Sequence, residues 1–188
     1  MKKILTPILF TCSAIAGFAQ TNIRKGDLMM GGNASFSYLK YGNYKETSLG
    51  LSPDVGYFAI DNLALGVRAS LTHSKAEQSF TPDLRRTYYN LTPFVRYYFL
   101  PATQKLNLFA DAGFGFGQYR SEVANSESKD NFTELDISAG PAIFLTPSTA
   151  LELTVGYVSM KYKNNDDRYN TLQLGVGFQI HLPGSRKK

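Results

Sequence analysis

Leu49-Gly50-Leu51-Ser52-Pro53-Asp54-Val55-Gly56-Tyr57 carries its bulky apolar residues on one parity and its small or polar residues on the other. A period of two is the mark of a β-strand, because successive side chains leave opposite faces. The same rhythm returns over residues 63–71, 91–99, 106–116, 135–145, 151–157 and 172–182. The polar parity is unlike the wet face of a soluble sheet. It holds Gly, Ser, Thr and Asn with a few isolated charges (Asp54, Arg68, Arg96, Asp111, Asp136, Glu152) and hardly any lysine. The lysines gather outside the alternating runs, at positions 25, 40, 45, 75, 105, 129, 163, 187 and 188, with Lys161 at a strand end. A Lys or Arg on a lipid-facing position costs ~2–4 kcal/mol near the bilayer midplane, so this distribution suits a barrel with lipid outside and a polar interior.

The first residues set the compartment. Lys2 and Lys3 precede an apolar stretch from Ile4 to Phe18, and small residues flank a cut after Ala19. This is the pattern of a secretory signal peptide, residues 1–19, which leaves a barrel domain at 20–182 and a basic tail at 183–188. Cys12, the single cysteine, falls in the leader, so the mature chain has no thiol chemistry. With 20 basic and 15 acidic residues in the full chain, and two of the basic ones in the leader, the excess is small and scattered. It points to no nucleic-acid partner. No later stretch reaches the ~18 consecutive apolar residues of a membrane helix, and membrane strands need only every other residue to be apolar.

Eight strand-like segments are expected, near 28–39, 47–58, 63–73, 87–100, 106–119, 132–146, 150–162 and 169–182. Each approaches or exceeds the ~9–11 residues that a tilted strand needs to cross a bilayer. The connections alternate between tight turns (59–62, 101–105, 146–149) and more polar loops, of which 74–86 and 121–131 are the longest. The fold expected is all-β: an eight-stranded antiparallel up-and-down transmembrane β-barrel. Its last strand pairs with its first, because lipid offers nothing to an open edge. Two aromatic belts are expected at the interfaces. Tyr38, Tyr41, Tyr44, Tyr89, Tyr119, Tyr162 and Tyr169 make one, and Tyr57, Phe58, Tyr97, Phe99, Phe144 and Phe178 the other.

An eight-stranded barrel is just wide enough for side chains to fill it. Asp54, Arg68, Arg96 and Asp111 lie on successive strands at similar distances from the turns, and they are expected to pair across the lumen. Asp136, Glu152 and Gln173 should extend the network, because a buried charge without a partner costs several kcal/mol. Its expected role is structural, with an ion path as the alternative. The sequence predicts no enzyme, no cofactor and no metal site. His73 and His181 are placed at opposite ends, and His73-Ser74 with Glu77, the one hydrolase-like group, puts adjacent residues on opposite faces.

Pro93-Phe94-Val95-Arg96-Tyr97-Tyr98-Phe99-Leu100-Pro101 and Tyr57-Phe58-Ala59-Ile60-Asp61-Asn62-Leu63-Ala64-Leu65-Gly66 resemble the fourth strand with its turn and the first periplasmic hairpin of a known family. These are the small outer-membrane β-barrel proteins of Gram-negative bacteria, also grouped as porin-family proteins. The resemblance implies residence in the outer membrane, lipids and the barrel-assembly machinery as partners, and short turns facing the periplasm. Such barrels often end on an aromatic residue, whereas here the pattern ends on Phe178, Ile180 and Leu182 with six residues following. The expected role is structural or interactive, through an extracellular ligand at loops 74–86 and 121–131, with the barrel a monomer. A narrow channel, an outer-leaflet lipid hydrolase and a soluble ligand-binding barrel are the alternatives.

Overall fold

The computed structural model describes residues 23–78, 82–124, 126–165 and 167–184, so the signal peptide expected at 1–19 and most of the tail expected at 183–188 lie outside the described residues. Eight antiparallel strands follow one another around a closed ring: β1 (Leu28–Tyr41), β2 (Tyr44–Ile60), β3 (Leu63–Gln78), β4 (Leu84–Tyr98), β5 (Leu106–Val123), β6 (Ser126–Thr146), β7 (Thr149–Tyr162) and β8 (Arg168–Leu182). Each strand pairs with its chain neighbours, and β1 closes on β8.

Every strand expected from the alternation is present, but most run further than expected on one side. Much of the stretches at 74–86 and 121–131 is strand rather than loop. β3 continues to Gln78, β4 starts at Leu84, and β5 and β6 pair out to Val123↔Ser126. Beyond the apolar band both faces meet water, so hydrophobic alternation vanishes while backbone pairing continues. Charge pairs hold these extensions: Lys75 with Glu77 (2.6 Å) and Asp83 (2.9 Å), and Glu127 with Arg120 (2.9 Å) and Lys129 (3.1 Å). Lys40, Lys45, Lys75 and Lys129 therefore sit in strand extensions rather than in loops. We call this side the tip end. The opposite side, the turn end, reverses through two residues between β2 and β3 and between β6 and β7, and through 99–105 between β4 and β5. Between β2 and β3 only Asp61 and Asn62 are unpaired, and Asn62 takes φ +67°, a conformation Asn tolerates better than most residues.

The surface is inverted relative to a soluble protein. Leu51, Val67, Leu91, Val95, Ile137, Val176 and Phe178 are all exposed, whereas Asp54, Arg68, Arg96, Asp111 and Glu152 are buried. Three prolines, Pro53, Pro93 and Pro141, lie within strands that have partners on both sides, a position proline usually avoids because it cannot donate to the ladder. Each leaves a two-residue gap in one pairing ladder: between Leu51↔Leu71 and Asp54↔Arg68, between Leu91↔Phe116 and Phe94↔Gly113, and between Ala139↔Val155 and Ala142↔Glu152.

The aromatic belts need correction. Tyr57, Tyr97, Phe99 and Phe178 face outward at the turn end as expected, but Phe58 and Phe144 are buried inside. At the tip end Tyr38 and Tyr89 are exposed. Tyr119, Tyr162 and Tyr169 instead form a chain of ring contacts with Tyr88 and Phe132, with centroids 5.0–6.2 Å apart. The reason is the period itself. Phe58 follows the outward-facing Tyr57, and Phe144 stands between the outward-facing Ile143 and Leu145, so alternation sends both into the barrel.

Candidate functional site: the barrel interior

The interior is layered. At the turn end Phe58, Tyr98, Phe109, Phe144 and Met29 fill the lumen around His181, whose ring lies 5.3 Å from Phe144, 5.7 Å from Tyr98 and 5.9 Å from Phe58. The segment before β1 seals this layer from below. Ile23 is fully buried within it, Asn62 donates its backbone N–H to the Ile23 carbonyl (3.0 Å), and Gly26 donates to the Phe58 carbonyl (2.9 Å). The Asp27 carboxylate accepts from the backbone N–H groups of Arg24 (3.1 Å) and Gly184 (2.9 Å), so the segment before β1 is tied to the one after β8.

Above the aromatic layer lies an ionic one. Arg96 donates to Asp111 (2.6 Å) and to both oxygens of Glu152 (2.9 and 3.0 Å). Arg68 reaches Asp111 (3.1 Å), Asp136 (3.4 Å) and, at longer range, Asp54 (3.8 Å). The structure thus brings all six charged residues singled out in the sequence into one buried cluster drawn from six consecutive strands. Hydrogen bonds between two ionised partners are stronger than those between neutral groups. The arginines also rest on rings of the layer below, Arg96 at 4.4 Å from Phe109 and Arg68 at 4.9 Å from Phe94.

Four carboxylates face two guanidiniums, and neutral donors share the remaining acceptor sites. Gln179 donates to Asp54 (2.7 Å), Ser138 to Asp111 (2.8 Å) and Tyr98 to Glu152 (3.2 Å). Gly31 makes the first of these possible, since a Cβ there would run into the Gln179 side chain. Gln173, expected in this network, has no hydrogen bond to it and lines the space above. Its distance along β8 explains this: Gln179, not Gln173, lies level with Asp54 through their common partner Gly31. Glu134, absent from the expected set, is buried and accepts hydrogen bonds from Thr92 (2.9 Å) and Asn90. Its signal was present, since it stands two residues from Asp136 on the same parity.

Toward the tip end the lumen opens into a cavity of about 530 Å³, walled by Ser35, Ser48, Ser52, Ser70, Thr72, Asn90, Thr154 and Gln173, with Arg86 and Tyr88 near its mouth. This is the size of many small-molecule sites, but its wall is more polar than most. His73 lies on the outer face, hydrogen-bonded to Thr87 (3.0 Å), while Ser74 is buried inside. The two therefore face opposite sides of the wall. Among the described residues no group of three His, Cys, Asp or Glu side chains is placed to hold a metal ion.

Solved structures share this architecture. The N-terminal β-barrel domain of Pseudomonas aeruginosa OprF matches with TM-score 0.55 at 13% identity, covering 84% of this chain and 98% of that one. Neisserial surface protein A matches with TM-score 0.57 at 14% identity (83% and 97%). Ail, the attachment invasion locus protein of Yersinia pestis, matches with TM-score 0.52 at 18% identity (83% and 99%). At these identities the likeness is one of fold. No curated protein matches the sequence. The model of the outer membrane protein beta-barrel domain matches residues 8–179, nearly the whole chain, and with the inverted surface it implies the outer membrane as the location. The chain belongs to the outer membrane protein beta-barrel domain family.

Proposed function

We propose that this protein is a closed outer-membrane barrel that conducts nothing from end to end and acts through its tip-end hairpins, with the turns in the periplasm. The observation that carries this reading is the stack of an aromatic layer and an ionic layer across the turn-end half, closed from below by Ile23. A solute crossing this half would have to strip Arg96 of both carboxylate partners. Breaking one such buried pair costs about 3–5 kcal/mol. The six charges then have a structural role: they fill the turn-end half of the lumen and tie facing strands together across it.

The hairpins around 74–86 and 121–131 rise above the apolar band with charges of both signs, which suits polar contacts at the cell surface rather than a single-sign ligand. Two experiments test the reading. Reconstituted into planar bilayers, the barrel should stay silent, and repeated stepwise conductance would replace this reading with that of a narrow channel. Shortening both hairpins to tight turns should leave the folded, heat-modifiable gel mobility intact. Loss of the folded form would mean that the hairpins serve the fold and not a partner.

A further inference from the structure

The ring is zipped along only half of its closing seam. β1 and β8 pair from Leu28↔Leu182 to Ala34↔Val176 and then part. Past that fork β1 remains paired with β2 as far as Tyr41, and β8 with β7 as far as Arg168. Continued register would set Phe36 opposite Leu174. Instead Phe36 is 70% exposed and Leu174 79%. Counted from Leu28, the ~9–11 residues that span the hydrocarbon end near Phe36 to Tyr38, so the fork opens inside the tip-side edge of the bilayer.

Two spaces meet at the fork. Inside is the polar cavity, to which Ser35 on one lip and Gln173 on the other contribute. Outside, facing lipid, is an apolar trough of about 690 Å³, flanked by Leu51, Leu71 and Phe178. Its floor is bare because Gly32 carries no side chain. With φ +145°, a Cβ there would collide with the Ser52 carbonyl and Pro53. Asn33 and Ala34 border both spaces. Asn33 Oδ1 and Thr154 Oγ1, two buried atoms beside the fork, have no hydrogen-bond partner.

Parted strand edges expose N–H and C=O groups, and hydrocarbon cannot satisfy them. What fills the fork must hydrogen-bond at one end and be apolar at the other. Its polar end meets hydroxyls and amides, with carboxylates in excess further in and Arg68 already engaged by three of them. We propose that the open half-seam binds a single-chain amphiphile of the membrane. An uncharged, hydroxyl-rich head sits in the cavity, and the alkyl chain leaves between Phe36 and Leu174 to lie in the trough. This rests on the fold and the lipid-facing surface, not on the sealed turn end, so a conductance result leaves it untouched.

The chain has no tryptophan, so a single Trp serves as a reporter. The full-length protein, with Cys12→Ser, is placed in phospholipid nanodiscs with an alkyl maltoside brominated on its chain. Leu71→Trp, in the trough, should be quenched saturably at mole fractions that spare Leu108→Trp on a distant wall. Leu151→Trp, on the far side of the trough, should repeat the result should Leu71→Trp disturb packing. Locking the seam by oxidising Phe36→Cys/Leu174→Cys should weaken half-quenching about tenfold or more, equivalent to ~1.4 kcal/mol. Oxidising Met30→Cys/Ile180→Cys, a pair in the zipped half, should change nothing. Equal quenching at Leu71→Trp and Leu108→Trp, or indifference to the seam lock, overturns the proposal. So does a Phe36/Leu174 disulfide that forms as fast as the Met30/Ile180 one in amphiphile-free discs. A brominated alkyl sulfate that quenches as well as the maltoside overturns the assignment of an uncharged head.

Discussion

The two halves of this barrel solve the same problem in different ways. Both must line a narrow lumen without leaving polar groups stranded. The turn-end half does so with dense packing: aromatic rings, two arginines and four carboxylates bind one another across the axis, and the seam is zipped. The tip-end half does so with small hydroxyl and amide side chains around a cavity, and its seam parts. Direct ion pairs tie the turn-end side chains to one another, whereas the tip-end wall turns its hydroxyls and amides toward open space. Stability and binding capacity are thereby divided along the axis.

Substitutions should expose this division. The largest effect is expected for Arg96→Ala, which takes from Glu152 its guanidinium partner and leaves Asp111 to Arg68 and Ser138, and should lower the unfolding free energy by about 3–5 kcal/mol, read by denaturant titration in detergent or lipid. A loss below about 1 kcal/mol would mean that the ionic layer is wet and exchangeable. On the outer surface, Val95→Arg should cost about 2–4 kcal/mol, while Thr47→Arg, near the tip end of β2, should cost about 0–1 kcal/mol. Similar costs at both positions would erase the boundary between apolar band and extension. In the cavity wall, Ser70→Ala should stay within about 0.5 kcal/mol, because no packed partner depends on it.

The smallest effect concerns the β5–β6 hairpin. The Lys129 ammonium, followed by Arg120, holds the Glu127 carboxyl below its usual range. A carboxyl depressed in the folded state contributes stability above its unfolded pKa and loses it as pH falls through the folded value. The protection factors of the Glu122 and Ser126 amides, taken against the intrinsic exchange rate at each pH, should therefore fall slightly as the pH is lowered below the ordinary Glu value of about 4.3.

Much of this was legible from parity alone. The alternation around Leu51 and Val67 established strands, faces and inversion together, because a one-residue slip would turn every side chain to the other face. The ionic layer was legible for the same reason: isolated charges on a glycine- and serine-rich parity had to meet inside. The inward aromatics were not read, since Phe58 and Phe144 look like belt residues until their parity is followed. The tip-end extensions left no signal, because past the apolar band neither face is hydrophobic, and only the ladder from Tyr119↔Asp130 to Val123↔Ser126 reveals them. The half-open seam was beyond the sequence altogether. Whether Phe36 meets Leu174 depends on register between strands at opposite ends of the chain.

The most direct test is a spin-label scan along β3 in lipid, with oxygen and a polar nickel complex as relaxants. Labels at Leu65, Val67, Ala69 and Leu71 should be relaxed by oxygen and shielded from nickel, while labels at Ser70 and Thr72 should show the reverse, reached through the open cavity. Nickel access at Val67 combined with oxygen access at Ser70 would mean that the barrel faces the other way, with its apolar side chains around the axis.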